Sequence, residues 1–290
     1  MLAASGSALL EFQSSLSGAR VALRRALNGD QSVKYMVSAW AEDNGLVLGQ
    51  LKVAAKSNEI TALPELLRAL ELAGCIVTVD AMGTQKKIAR EIIEADADDV
   101  LALKGNHETV QEEVKSFLDA TVAEKNAQPV RPSPAAATLA VLETVEKDHG
   151  RIETRRYYQS VALDWFADRS KWEGLQSVGL VEAIREIGAT RTVERRYYLS
   201  SLALDVVTFA RAVRGHWGVE NKLHWVLDVQ MREDQSRARA GHAAENLATL
   251  RRLALNLLRR EKTKRRGIRG KQRNASWDHA YLLRLLGAPI

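Results

Sequence analysis

The chain has 290 residues, a formal net charge of +6 and a single cysteine, Cys75. This length suffices for one large domain or two ordinary ones with a sizeable core. No apolar run approaches the roughly 20 residues that span a bilayer, and the first residues lack the basic leader of a signal peptide. A lone cysteine in an apolar run excludes a disulfide framework and a cysteine-based zinc site. We therefore expect a cytoplasmic protein with no membrane partner.

The charge is distributed unevenly along the chain. Residues 211–290 carry 18 Lys and Arg against 7 Asp and Glu, whereas residues 1–210 carry 24 against 29. A mildly acidic body followed by a strongly basic C-terminal part indicates an end that binds a polyanion. Nucleic acid is the usual polyanion for such a protein.

The N-terminal third predicts a short hairpin followed by a helix. Residues 8–12 favour a helical turn, and two strand patterns at 33–40 and 46–53 flank a polar loop of hairpin type at 42–45. The next helix is predicted over 62–72, with Pro64 in its first turn and Gly74 after its end.

The following stretch predicts a parallel sheet. Residues 75–79 form an apolar run that stops at Asp80, which is typical of a buried parallel strand. A helix over 85–95, a strand over 100–103 and a helix over 107–119 follow, so we expect a mixed sheet flanked by helices. A carboxylate at the carboxyl end of a parallel strand lies where open α/β folds bind ligands. The alternative is an aspartate that only caps the next turn.

The pattern changes after residue 128. Prolines at 129, 132 and 134 mark a linker, and residues 129–203 predict an inserted, mainly β segment with one strand over 178–187. The motif Arg-Arg-Tyr-Tyr occurs twice, at 155–158 and 195–198. It favours two neighbouring strands with matched cross-strand pairs over a base-stacking nucleic-acid surface.

Helical periodicity returns at residue 204. Trp217, Glu220, Leu223 and His224 have the three- and four-residue spacings of a shared helix face, which predicts Glu220 on a half-buried face. Trp217 and Trp225 are predicted in the core. His216 and His224 favour packing or DNA contact over zinc, because their eight-residue spacing suits zinc poorly. A long helix over 243–258, a basic loop over 262–273 and a short helix over 277–286 complete the chain.

Two carboxylates carry the predicted chemistry. Asp80 ends a strand and Glu220 lies on a helix 140 residues later. This pattern predicts a two-metal phosphoryl-transfer site, because Mg²⁺ prefers carboxylate and phosphate oxygens. Four cations lie near Glu220 in the sequence: Arg214, Lys222, Arg237 and Arg239. Contact with DNA phosphates and a solvated basic face are equally good interpretations of them.

Several short motifs resemble one family of enzymes. They are Val37-Ser38-Ala39-Trp40, Lys56-Ser57-Asn58-Glu59-Ile60, Thr78-Val79-Asp80-Ala81-Met82, Leu103-Lys104-Gly105-Asn106, His216-Trp217-Gly218-Val219-Glu220-Asn221, His224-Trp225-Val226-Leu227-Asp228-Val229 and Arg232-Glu233-Asp234. Together they resemble the bacterial insertion-sequence transposases of the ISAs type, also called H-repeat-associated, in the DDE group, over roughly residues 22–286.

The resemblance implies a ribonuclease-H-like core with a β insertion that cuts and joins double-stranded DNA at transposon ends. It implies Mg²⁺ or Mn²⁺ as cofactor, with Asp80 as the second acid and Glu220 as the third, and leaves a homodimer open. The predicted order is an atypical segment (1–21), the first part of the core (22–128), the linker and β insertion (129–203), the helical completion of the core (204–260) and a basic C-terminal segment (261–290).

One departure from the family pattern concerns the first acid. The family has Asp-Gly-Lys before Leu-Arg-Arg, whereas this chain has Ala19-Arg20-Val21 before Ala22-Leu23-Arg24-Arg25. Ala19 cannot bind a metal, and Asp30 and Asp43 are the nearest aspartates. We therefore expect a truncated, catalytically impaired DNA transposase. The alternatives are a non-catalytic DNA-binding remnant and a structure-specific nuclease on the same core.

Overall fold

A computed structural model describes residues 8–14, 36–52, 59–148, 150–238 and 241–287. The strands are β1 (Ala8–Ser14), β2 (Met36–Ala41), β3 (Leu46–Lys52), β4 (Cys75–Val79), β5 (Asp98–Leu103), β6 (Ala140–Asp148), β7 (Arg151–Ser160), β8 (Ser177–Ile187) and β9 (Thr190–Ser200). The α-helices are α1 (Glu59–Arg68), α2 (Lys86–Glu94), α3 (Glu108–Asn126), α4 (Pro134–Thr138), α5 (Val206–Val219), α6 (Ala243–Arg260), α7 (Ile268–Trp277) and α8 (His279–Leu285). Within this part of the chain, no helix is long and apolar enough to cross a membrane.

The chain divides into two compact units. Among the described residues, the first comprises those of 8–9 and 67–216, and the second comprises those of 10–66 and 217–287. Each unit is built from segments that are far apart in the sequence.

The first unit is centred on a mixed sheet with the strand order β4-β5-β9-β8-β7-β6. β4 and β5 are parallel, and β5 pairs antiparallel with β9, which continues the inserted meander of β6 to β9. All five residues of β4 are buried, as its apolar run predicts. On α2, Ile88 and Ile92 are completely buried. The expected α/β fold class, a mixed sheet flanked by helices, is confirmed.

Helix α5 packs apolar residues of its 206–216 part into the core of the first unit. Phe209 is completely buried in a cluster that includes Tyr198 and Val181. Its ring meets the ring of Tyr198 edge to face, with centroids 5.6 Å apart. Gly179 leaves the space that the Phe209 ring fills, since a Cβ atom there would lie 2.2 Å from its Cζ.

The two Arg-Arg-Tyr-Tyr motifs stabilise the inserted sheet. They are not on neighbouring strands as predicted, because β8 lies between β7 and β9. Their arginines instead meet on Glu182 of β8, which accepts hydrogen bonds from Arg195 at 2.6 and 2.8 Å and from Arg156 at 3.5 Å. The tyrosines are buried: Tyr157, Tyr158, Tyr197 and Tyr198. Buried rings and paired guanidinium groups do not form a base-stacking surface.

The second unit contains residues 10–14 of β1 and the strands β2 and β3, which pair antiparallel. β2 and β3 form the predicted hairpin, and Gly45 closes its turn with a φ of +62°, which favours glycine. Asn256 of α6 binds the backbone of β3 with both ends of its amide: it accepts from the Val47 nitrogen at 2.9 Å and donates to the Val47 oxygen at 2.7 Å. Trp40, Val47 and Leu255 lie in the core cluster of this unit.

Several predicted element boundaries are wrong. Residues 8–12 belong to the strand β1 and not to a helical turn. Helix α1 begins at Glu59, so Pro64 lies inside the helix and removes one backbone hydrogen bond there. β5 begins two residues earlier than predicted, at Asp98. The basic stretch over 262–273 is not a loop throughout, because α7 begins at Ile268.

The helix that carries Glu220 also departs from the prediction. After α5 the backbone is π-helical over Glu220–His224 and again over Val226–Gln230. A π-helix turns less per residue than an α-helix, so the three- and four-residue spacings no longer select a single face. Leu223 and His224 are buried, whereas Trp217, Glu220 and Trp225 are exposed. The predictions of a half-buried Glu220 and of core positions for Trp217 and Trp225 are therefore wrong.

Candidate functional site

Asp80 lies directly after β4, in a tight turn of the first unit. Its Oδ1 accepts a hydrogen bond from the Gly83 nitrogen at 3.0 Å, and its backbone oxygen accepts from the Gly83 and Thr84 nitrogens at 3.1 and 3.0 Å. Oδ2 has no hydrogen-bond partner within the residues that the structure describes. The carboxylate thus caps its turn with one oxygen, as one of the two interpretations expected. Its role as a metal ligand stays a prediction.

Two side chains that the sequence analysis did not single out support the Asp80 turn. The Thr84 hydroxyl lies 3.0 Å from the Asp80 backbone oxygen and 2.8 Å from the oxygen of Ala102 on β5. The Asn106 amide donates to the Ala81 oxygen at 2.6 Å. These contacts tie the turn to the neighbouring parallel strand. Asn106 belongs to the motif Leu103-Lys104-Gly105-Asn106, which the sequence shares with the family. The motif did not indicate that Asn106 supports the Asp80 turn.

His216 of α5 lies beneath the same strand end. It is 6% exposed, and its Nδ1 is 3.1 Å from the Thr78 hydroxyl, two residues before Asp80. Burial lowers the pKa of His216 to about 4, against an opposing attraction from the Asp80 carboxylate. The imidazole is therefore neutral at physiological pH. It packs in the core, as predicted, and contributes no positive charge beside Asp80.

Glu220 belongs to the second unit. Its carboxylate is exposed and has no hydrogen bond or ion pair with any of the residues that the structure describes. Further along the same helical stretch, burial and the nearby acids Glu233, Asp234 and Glu220 raise the pKa of Asp228 to about 6. Negative charge is thus concentrated around Asp228, with Arg252 as the neighbouring cation.

The donor atoms suit a hard cation. Oδ2 of Asp80 and both oxygens of Glu220 have no partner among the described residues, and Mg²⁺ and Mn²⁺ prefer carboxylate oxygens. Across residues 8–14, 36–52, 59–148, 150–238 and 241–287, no group of three or more His, Cys, Asp or Glu side chains is arranged to hold a metal ion. Asp43 lies in the exposed hairpin turn of the second unit, whereas Ala19 and Asp30 lie outside the described residues.

Two of the four cations predicted to contact DNA have carboxylate partners. Arg214 donates to both oxygens of Glu146 at 2.9 and 3.1 Å, and Lys222 forms an ion pair with Glu42. Arg237 is exposed, and Arg239 lies outside the described residues. Pairing reduces the positive charge that Arg214 and Lys222 present, and their DNA contact stays a prediction.

Comparison with known proteins identifies the family. The family described as the transposase DDE domain matches residues 28–257, a range that includes Asp80 and Glu220. The chain belongs to this family.

Individual relatives agree with that membership. "Putative transposase YncI" of Escherichia coli O157:H7 is 40% identical over 258 residues, which cover 88% of this chain and 63% of the relative. "H repeat-associated putative transposase YhhI" of Escherichia coli K12 is 39% identical over 257 residues, which cover 87% of this chain and 65% of the relative. The predicted resemblance to H-repeat-associated transposases is confirmed. The chain spans less than two thirds of the length of these relatives.

One solved structure is similar over nearly all of the chain. The piggyBac transposase synaptic complex with hairpin DNA superposes with a TM-score of 0.48 and 13% sequence identity, covering 98% of this chain and 55% of that one.

Proposed function

We propose that the chain is the catalytic region of a bacterial insertion-sequence transposase that acts on double-stranded DNA at transposon ends. The observation that carries this proposal is the match of the transposase DDE family to residues 28–257, which include both predicted catalytic acids. Asp80 and Glu220 are the proposed metal ligands. Within the described part of the chain, Oδ2 of Asp80 and the carboxylate of Glu220 have no protein partner, which supports these roles.

The chemistry of each side chain indicates its proposed role in catalysis. Carboxylates at these positions would hold Mg²⁺ or Mn²⁺, whose chemistry is to activate the attacking oxygen and stabilise the leaving oxygen of a phosphodiester. Gly83, Thr84 and Asn106 hold the turn that presents Asp80. His216 lies beneath that turn as a neutral group. It therefore neither forms an ion pair with the Asp80 carboxylate nor repels a metal cation bound there.

We further propose that catalysis by this chain is impaired. Ala19 stands where the family pattern has its first acid, and a methyl group cannot bind a cation. Because even the outer residues of a metal site contribute about 10- to 100-fold to affinity or activity, loss of a direct ligand lowers cleavage by about 100-fold or more.

A nicking assay tests both proposals. The substrate is a supercoiled plasmid that carries the ends of the element, incubated with Mg²⁺, Mn²⁺ or EDTA. We expect at most trace nicking by the wild type, and a metal-dependent gain in the Ala19→Asp variant that Asp80→Asn or Glu220→Gln abolishes. Efficient nicking by the wild type that disappears in Asp80→Ala would overturn the proposed impairment. Nicking by Ala19→Asp that survives both carboxylate substitutions would overturn the proposed ligands.

The presence of Ala19 in place of the first acid also supports a second candidate function. A chain that has lost its first acid but keeps a basic C-terminal part would act as a DNA-binding protein without cleavage. Binding of the element's ends in EDTA, together with no nicking by the wild type or by Ala19→Asp, would support this function over the transposase.

A further inference from the structure

The strongest concentration of exposed charge follows helix α6. Residues 262–273 contain seven Lys and Arg and no acid. Lys271 is buried, but the other six are exposed. We name these six the basic C-terminal patch: Lys262, Lys264, Arg265, Arg266, Arg269 and Arg273.

The patch is held in a defined conformation by Lys271. This side chain is 7% exposed, and its ammonium group donates to the backbone oxygens of Leu258, at 2.9 Å, and Glu261. It also lies 3.7 Å from the Glu261 carboxylate, with both side chains buried. Lys271 therefore connects α7 to the end of α6 and fixes the two ends of the loop between them.

Glu261 organises the loop from its other side. Its carboxylate accepts hydrogen bonds from the Thr263 and Lys264 backbone nitrogens at 2.6 and 3.4 Å and from the Tyr281 hydroxyl at 3.0 Å. Tyr281 in turn packs with Leu258 and Leu285 in a small apolar cluster. The start of the loop is thus fixed to α8 as well as to α6.

The six exposed cations are not neutralised by carboxylates among the residues that the structure describes. None forms an ion pair with any residue in the described part of the chain, whereas the interstrand arginines Arg156 and Arg195 are each bound to carboxylates. Arg269 and Arg273 are four residues apart on α7 and therefore share a face. The Arg266 side chain lies along the same helix, since a Cβ atom on Gly270 would be 3.2 Å from the Cβ of Arg266. Like charges this close repel one another unless an anion binds.

We propose that the basic C-terminal patch binds the sugar–phosphate backbone of duplex DNA without reading its base sequence. The choice of DNA rests on the proposed function, while the location rests on the exposed and unpaired cations. Arginine and lysine side chains on a fixed loop and helix match a row of phosphates, and their binding releases counterions from the DNA. The patch contributes affinity, and the residues that recognise the transposon ends lie elsewhere.

The test is a salt titration of DNA binding in EDTA. Fluorescence anisotropy of a labelled duplex of arbitrary sequence is measured over a series of KCl concentrations, for the wild type and for Arg265→Gln/Arg266→Gln/Arg269→Gln/Arg273→Gln. Each lost phosphate contact lowers the slope of log affinity against log salt by about 0.9, so we expect a decrease of about 2 to 4. We also expect at least about tenfold weaker binding at physiological salt.

A second variant with the same change in net charge serves as the control. It replaces by Gln four exposed arginines of the first unit that lie 3.6–3.9 Å from carboxylates: Arg90, Arg151, Arg185 and Arg191. We expect this control to keep the wild-type salt slope. Equal slopes for the wild type and the patch variant, or equal losses in the patch variant and the control, would overturn the proposal.

The result is independent of catalysis because EDTA removes divalent metals. If the patch variant loses DNA affinity while no chain nicks DNA, the patch is supported and the transposase proposal fails. If Ala19→Asp nicks DNA with metal and the patch variant still binds like the wild type, the transposase proposal is supported and the patch fails.

Discussion

The Nδ1 atom of His216 and the hydroxyl of Thr78 lie 3.1 Å apart in the buried interior of the first unit, 138 residues apart in the sequence. The contact joins helix α5 to strand β4 two residues before Asp80. Because burial lowers the pKa of His216 from 6.5 to about 4, this contact belongs to the neutral imidazole. Its stability therefore depends on pH.

We predict that His216 destabilises the fold in acid. The unfolded chain binds a proton on this imidazole below pH 6.5, whereas the folded chain does so only near pH 4, so the contribution is full above 6.5 and is lost between 6.5 and 4. Relative to His216→Asn, whose amide can still contact Thr78, the wild type should lose about 2–3 kcal/mol between pH 7 and pH 4. Urea unfolding of both chains across this range measures the difference. The carboxylates titrate in both chains, so their contributions cancel in the difference. Parallel pH profiles of stability for the two chains would contradict the prediction.

A second prediction concerns Asp99, which is completely surrounded by protein. Burial raises the pKa of this carboxyl to about 7, although a hydrogen bond from the Ser201 nitrogen at 2.9 Å opposes the shift. The folded state therefore favours the protonated form, and stability is lost as pH rises from 3.8 through 7.

Asp99→Asn keeps the acceptor for Ser201 and removes this titration. We expect the variant to be more stable than the wild type at pH 8, by on the order of 2–4 kcal/mol, and to show no such advantage at pH 4. Thermal or urea unfolding at the two pH values tests this. Asp164→Asn, at an exposed position, is the control and should change neither value. An advantage of equal size at both pH values would argue against the protonated carboxyl.

The ion pairs between strands of the inserted sheet should contribute unequally to the free energy of unfolding. Glu182 is 7% exposed and binds both Arg156 and Arg195, whereas Glu143 binds only Arg156 from an exposed position. Removing one partner of a buried ion pair typically costs about 3–5 kcal/mol, against about 0–1 kcal/mol for an exposed pair. We expect Glu182→Gln to lower the free energy of unfolding by at least about 2 kcal/mol more than Glu143→Gln. Similar urea midpoints for the two variants would show that the ion pairs of Glu182 and Glu143 are equally exposed to solvent.

Gly179 should be replaceable only together with Phe209. A methyl group at Gly179 would overlap the Phe209 ring, and overpacking of this kind costs about 1–3 kcal/mol or more. We expect Gly179→Ala to destabilise the chain, and Phe209→Leu to recover part of that loss in the double variant. A double-mutant cycle from urea unfolding gives the coupling energy. Additive effects of the two substitutions would mean that the backbone moves away from the ring at no cost.

The parts of this fold that could be predicted are those with a local cause. The apolar run before Asp80 predicted the buried strand β4, and Gly45 marks a turn that requires a positive φ. Asp99 could not be assigned in this way, because two adjacent aspartates are typical of a loop. It lies inside β5 because Ser200 and Ser201, about one hundred residues later, bind its backbone and carboxylate.

The candidate site shows the same division. Strand-end position made Asp80 identifiable, and the family motifs added Glu220. The exposure of Glu220 and Trp217 could not be read from spacing, since the π-helical backbone after Val219 shifts the faces of the helix. The pairing of Lys222 with Glu42 joins residues 180 apart, a distance at which the sequence pattern contains no signal.

Strand β6 lies at the outer edge of the first unit's sheet, with β7 as its hydrogen-bonded neighbour. An open edge can template the addition of a strand from another molecule, and charged side chains on it discourage this. Glu143, Glu146, Lys147 and Asp148 occupy four of the nine positions of β6. We therefore expect neutral substitutions of these four residues to lower the solubility of the protein before they alter any chemistry.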